Sequence, residues 1–167
     1  MFAMNKAHTL LGGSTNWCRP ARRLVLLCAF WGLAIAAQAA EVNVLSAEAF
    51  APVVAAMAPV FEKRTGDNLV MVADTDAGVA KRIRDGHDFD LAVLPHEVLE
   101  ALGKEGVIYA GSIVSLAKVV TGSQNGTGYA GALSDWASDS QSAMSLLILL
   151  ASEETQAKLK DKGMAAP

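Results

Sequence analysis

Val42-Asn43-Val44-Leu45 is a short apolar run, and the four residues after it, Ser46-Ala47-Glu48-Ala49, are small or polar. From Phe50 onward the spacing changes. Phe50, Val53, Val54, Met57, Val60 and Phe61 recur every three or four residues, which places them on one face of a helix. Pro52 suits the first turn of that helix, where its missing N–H is not needed. Gly66, directly after Thr65, is a good C-terminal stop. Pro59 inside the helix is a local conflict, costing up to ~3 kcal/mol unless a kink absorbs it. The stretch Val42 to Thr65 therefore predicts a strand, a turn and a helix whose N-terminal amides face the turn. Such an end accepts an anion or another polar acceptor. A single βα unit does not identify a ligand, because α/β domains contain many.

Downstream the pattern repeats. Asn68 to Val72 reads as a second buried strand. The small, polar turn Ala73 to Gly78 leads into a short helix with Val79, Ala80 and Ile83 inward, ending near Gly86. Asp90 to Leu94 reads as a third strand. Pro95 opens a third helix carrying Val98, Leu99 and Leu102, stopped by Gly106. Strands alternating with helices of this length predict an α/β domain, a mostly parallel sheet flanked by helices. Ligands of such sheets gather at the carboxyl ends of the strands, where the first two turns lie. Ser112 to Val120 is a candidate fourth strand, and Thr121 to Gly131, with four glycines, reads as a flexible crossing. Tyr129 to Leu133 is a short strand. Met144 and Leu146 to Leu150 give a helix apolar nearly all round, hence deeply packed. Ser152 is a plausible N-cap for the last helix, which has Glu153 and Glu154 in its first turn and ends at Gly163.

Upstream, residues 1–40 hold no acid and four bases, and Leu24 to Ala36 is apolar. Ala37-Gln38-Ala39 follows as a small-x-small cleavage site, so residues 1–39 read as a signal peptide and the chain as exported to the periplasm. An uncleaved anchor is the rival, but the run is short for a bilayer. Cleavage removes Cys18 and Cys28, leaving residues 40–167 as one domain without thiol chemistry. All 17 acids and 10 of the 14 bases remain, a net charge of −7. So acidic a domain is a poor candidate for nucleic acid.

Several segments together resemble the periplasmic type 2 solute-binding proteins of ABC importers, most of all the molybdate-binding group. They are Val44-Leu45-Ser46-Ala47, Phe61-Glu62-Lys63-Arg64-Thr65-Gly66, Ala80 to Gly86 and Phe89-Asp90-Leu91-Ala92-Val93-Leu94-Pro95. The likeness resumes at Leu149 to Glu154 and runs through Lys162-Gly163-Met164, with Pro167 at the end. In that family the chain leaves the first lobe, builds a second, and returns. Here residues 121–128 stand where the second lobe would be. The resemblance thus implies a single lobe: 40–120, a crossing at 121–128, and 129–167. It also implies a small-molecule or oxyanion solute and the membrane subunits of an ABC transporter as partners, with no cofactor. Carried over residue by residue, Ser46 and Ala47 match the family's first oxyanion-binding turn, and Thr75, Asp76, Ala77 and Gly78 its second. Asp76 stands where the family usually has serine. A carboxylate there repels an oxyanion and offers no donor.

Each candidate has a plainer reading. Ser46 suits a turn or helix cap, and Asp74 and Asp76 suit a solvated turn. The acids from Asp85 to Asp90 surround His87, but at no metal-ligand spacing, so a solvated loop is favoured. His96 reads as a surface residue and Trp136 as a packing anchor, although an aromatic near a hinge could also touch ligand. No nucleophile–base pairing is present, so no enzyme is indicated. The rival class is a structural or protein-interaction domain without a small ligand. Whether the crossing fills the cleft-side turns or leaves them open discriminates the two.

Overall fold

The computed structural model describes residues 39–119, 126–161, 164, 165 and 167. The expected signal peptide lies, apart from Ala39, outside the described residues. So do the expected stop at Gly163 and the crossing, apart from Gly126 to Gly128, of which Thr127 and Gly128 are not part of a crossing but belong to a strand, paired with Val119 and Lys118.

Strand β1 (Glu41–Ala47) leads into helix α1 (Ala51–Thr65), β2 (Asn68–Asp74) into α2 (Asp76–Arg84), and β3 (Leu91–Pro95) into α3 (His96–Lys104). A 3-10 turn (Ala110–Ser112) precedes β4 (Val114–Val119). Then come β5 (Thr127–Leu133), α4 (Ser140–Leu150), α5 (Glu153–Asp161) and the two-residue β6 (Met164–Ala165). The six strands form one sheet in the order β2-β1-β3-β5-β4-β6. β1 pairs in parallel with β2 and β3, while β5 runs against both β3 and β4, and β6 against β4. This is the expected α/β lobe, but its sheet is mixed rather than mostly parallel: two of the five pairings among the described residues are parallel and three antiparallel, because the returning strand β5 runs against its neighbours.

Periodicity became packing most directly in α1. Phe50 and the helix residues Val53, Val54, Met57 and Phe61 are buried. Gly66 ends the helix at φ 82°, with its N–H donating to the Glu62 carbonyl. Pro59 does not break it. It lies on the exposed side, where water can take the carbonyl left without its helical donor. Gly131 on β5 allows a close approach: a Cβ there would stand 2.6 Å from Leu147 Cδ1 of α4.

Four expectations are corrected. Ser46 and Ala47 belong to β1 rather than to the turn, because β1 stays paired with β2 as far as Ala47↔Asp74. β2 is not buried: it is the outermost strand, and Val72 is 41% exposed. α4 is not packed all round, since Met144 and Ile148, one turn apart, face outward. Ser152 does not send its hydroxyl forward as a cap; it donates back to the Leu149 carbonyl at 2.6 Å.

Candidate functional site

The carboxyl ends of β1, β2 and β3 lie at one end of the sheet, and the first two βα turns meet there. The Glu48 N–H donates to the Asp74 carbonyl at 2.9 Å, which ties the turns together. In the first turn, Ser46 is fully buried and its hydroxyl donates to the Ala47 carbonyl at 3.1 Å. That donor faces the interior. Ala47 is also fully buried, and its carbonyl further accepts the Phe50 N–H at 3.0 Å.

The second turn is more open. Thr75 is exposed and caps α2, its Oγ1 accepting the Gly78 N–H at 3.1 Å. Asp74 is no free turn residue. Its Oδ1 accepts the Thr75 N–H at 2.8 Å and its Oδ2 pairs with Arg82 Nε at 3.0 Å. The Arg82 hydrogen bond is the main reason its carboxyl is held below the usual range. A Cβ at Gly78 would collide with this carboxylate, so any larger residue there would displace Asp74 from its bonds to Thr75 and Arg82. What remains at the helix start is the Thr75 hydroxyl proton and the Asp76 and Ala77 amides, which precede the first intrahelical donors.

Beside them stands Asp76. Burial pushes its carboxyl pKa upward, and a hydrogen bond from Tyr129 acts in the opposite direction. Burial, reinforced by the Asp76 charge, likewise raises the Tyr129 phenol. Tyr129 enters at the start of β5 opposite Pro95, and its ring stacks on Phe50 with centroids 6.2 Å apart. The sequence had marked Tyr129 only as the beginning of the return strand. Its partners, Phe50 and Asp76, are distant in sequence, and no local pattern brings the three together. The second turn is thus partly covered by the returning chain. Asp76 and Ala77 still line an open groove of about 460 Å³ between α2 and α3, with Arg84 and Glu97 along its walls.

Asp90 departs most from its sequence reading. It is not a solvated loop acid but is 1% exposed. Its carboxylate accepts the Asn43 N–H (2.9 Å), the Ser138 N–H (2.8 Å), the Ser138 hydroxyl (3.0 Å) and the Asp139 N–H (3.4 Å). It joins β1, β3 and the entry to α4. Trp136 is 64% exposed, so it is no packing anchor. His87 is exposed, and His96 lies 3.3 Å from Glu100 through Nε2. Among the described residues no group of three or more His, Cys, Asp or Glu could hold a metal ion. Nor is any helix among them long and apolar enough to cross a membrane.

The fold matches that of a periplasmic binding protein lobe. Residues 42–122 match the family model of bacterial extracellular solute-binding proteins. It resembles the substrate-binding domain assigned to a molybdenum ABC transporter of Clostridium difficile (TM-score 0.69, 10% identity, 77% of this chain and 100% of that one). It also resembles the periplasmic molybdate-binding protein of Azotobacter vinelandii (TM-score 0.68, 11% identity, 75% and 99%). A third likeness is to a sulfate-binding protein of Mycobacterium tuberculosis (TM-score 0.62, 8% identity, 76% and 87%). At these identities the likeness is one of fold. No curated protein matches the chain. The fold is one that solute-binding proteins adopt, and the family-model match over residues 42–122 is to proteins of that kind.

Proposed function

We propose that the chain is the ligand-receiving lobe of an exported solute-binding protein that serves an ABC importer. Residues 1–39 act as its cleaved leader, residues 121–126 stand in place of a second lobe, and the solute is a small molecule or oxyanion held at the second turn. The observation that carries this reading is the start of α2. The Thr75 hydroxyl and the Asp76 and Ala77 amides stand together at the carboxyl end of β2, where the helix dipole favours negative charge. The family match over residues 42–122 supports it. Ser46 and Ala47 contribute by holding the first turn in place rather than by touching solute.

Asp76 sets the terms. As a carboxylate it repels an oxyanion, while in its protonated form it can donate. Because burial raises its pKa, oxyanion binding strengthens as pH falls through that raised value. With one lobe only, the solute keeps a face in water, and each hydrogen bond competes with solvent. Binding is therefore weak. Isothermal titration of the purified chain with molybdate, tungstate and sulfate at pH 5 and pH 8 tests the reading. It should find weak binding that is tighter at pH 5, and Asp76→Ser should improve it about tenfold, equivalent to ~1.4 kcal/mol. Submicromolar affinity in the unmodified chain would overturn the role given to Asp76. Absence of binding in both forms would overturn the solute reading. A protein-docking role without small ligand is the second reading, and the stacking of Tyr129 on Phe50 beside Asp76 favours it.

A further inference from the structure

β2 is the outermost strand, with β1 on its inner side and no strand on its outer side among the described residues. The register fixes which backbone groups look inward. The Asn68 N–H donates to the Ala40 carbonyl and the Asp74 carbonyl accepts from the Glu48 N–H, both toward β1. Backbone groups alternate along a strand, so Asn68, Val70, Val72 and Asp74 bond to β1, and Leu69, Met71 and Ala73 point outward. The Leu69 N–H, accordingly, is met not by a strand but by Glu62 Oε1 of α1, at 3.3 Å. Protein edges are ordinarily protected by proline, lysine, a bulge or a covering element. Between Asn68 and Ala73 there is no proline and no charged residue, and the ladder to β1 runs without a bulge. Val72, at 41% exposed, adds apolar surface beside this open edge.

We propose that this edge pairs with the same edge of a second copy, antiparallel, about a twofold axis through Met71. Met71 is an outward-facing residue at the middle of β2, so centring there lets the two Met71 residues exchange both backbone hydrogen bonds. The Ala73 N–H then meets the Leu69 carbonyl of the other copy on each side, giving about four bonds in all. Val72 falls opposite Val70 in a non-hydrogen-bonded pair, where side chains approach most closely. Asp74 falls opposite the Asn68 amide and Thr75 opposite Asp67, so no like charges face each other. The six-stranded sheet becomes continuous across both copies. This contact leaves the groove between α2 and α3 outside the pairing edge, but it reaches Thr75 at the margin of the proposed solute turn.

Light scattering and amide exchange on the purified chain test the pairing together. At about 100 μM, the range in which a small interface is populated, the mass should be twice that of the monomer. The Met71 and Ala73 amides should be protected there and lose protection on dilution, while Val70 and Val72 stay protected throughout. Val72→Lys, which leaves the bonds to β1 intact, should weaken the dimer at least tenfold. Met71→Pro, which deletes the outward N–H along with the Met71 side chain's packing on the core, should abolish it in a variant that circular dichroism shows to be folded. A monomer at 100 μM, a dimer whose Met71 amide exchanges freely, or a dimer unchanged in both folded variants would each overturn the proposal.

Discussion

Asp90 lies where three stretches of chain converge, and its carboxylate is the acceptor they share. Replacing it with alanine leaves the Asn43, Ser138 and Asp139 amides without their acceptor in a nearly closed site. The expected cost is about 3 kcal/mol, since hydrogen bonds to charged groups are worth ~1.5–3 kcal/mol and orphaned buried donors add to the loss. Urea denaturation measures it, and a loss below about 1 kcal/mol would contradict the role. Gly66→Ala should cost about 1 kcal/mol, because φ 82° suits glycine and strains any residue with a Cβ. These two residues differed in legibility. Gly66 was readable because its reason is local, the end of a periodic helix. Asp90 was not, because its partners lie 47, 48 and 49 residues away in sequence. Seen alone it was one more acid in a run of acids.

Helix α4 and strand β2 show what periodicity can and cannot decide. Leu146, Leu147, Ile148, Leu149 and Leu150 are all apolar, so no alternation marks a face. The sheet chooses it: Leu146, Leu147, Leu149 and Leu150 are buried and Ile148 is 64% exposed. Leu147→Ala should therefore cost about 2–5 kcal/mol, whereas Ile148→Ser should stay within about 0.5 kcal/mol. Thermal or urea unfolding of the two variants separates them, and equal losses would mean that Ile148 is covered. For β2, apolar residues correctly gave a strand. Its place at the edge depends on the strand order, which no stretch of its own residues encodes. The binding turns show the same division. Thr75 to Gly78 was legible as a polar turn leading into a helix, although Asp76, Ala77 and Gly78 are already that helix's first turn; Tyr129 reaching Asp76 from the far side of the chain was not legible.

The whole molecule is acidic, and its response to acid follows from a few pairs. Asp67 is held below the usual carboxylate range chiefly by the Ser142 hydroxyl, and Asp74 by Arg82. Lys81 does the same for Asp85 and Arg84 for Glu105. A carboxyl whose folded pKa lies below its unfolded one favours the folded state while ionised. That contribution is complete above the unfolded values, about pH 4, and is lost as pH falls through the folded ones. Asp76, raised by burial, acts in the reverse sense, its contribution lost as pH rises. The melting temperature should fall steeply below about pH 4, and Asp67→Asn should flatten part of that decline. Calorimetry between pH 3 and pH 7 checks both, and a stability that does not fall between pH 4 and pH 3 would contradict the assignment.

β4 and β5 meet as antiparallel neighbours, with Val119 paired to Thr127. The residues on either side of 120–126 are therefore held side by side, roughly 5 Å apart, by the ladder itself. An outgoing and a returning chain at one spot make a docking port for foreign sequence. A whole domain whose own termini lie close together can be spliced between Val119 and Thr127 without shifting register on either side, and it can be excised as easily. A fluorescent or enzymatic domain inserted there should leave the melting of the host sheet nearly unchanged.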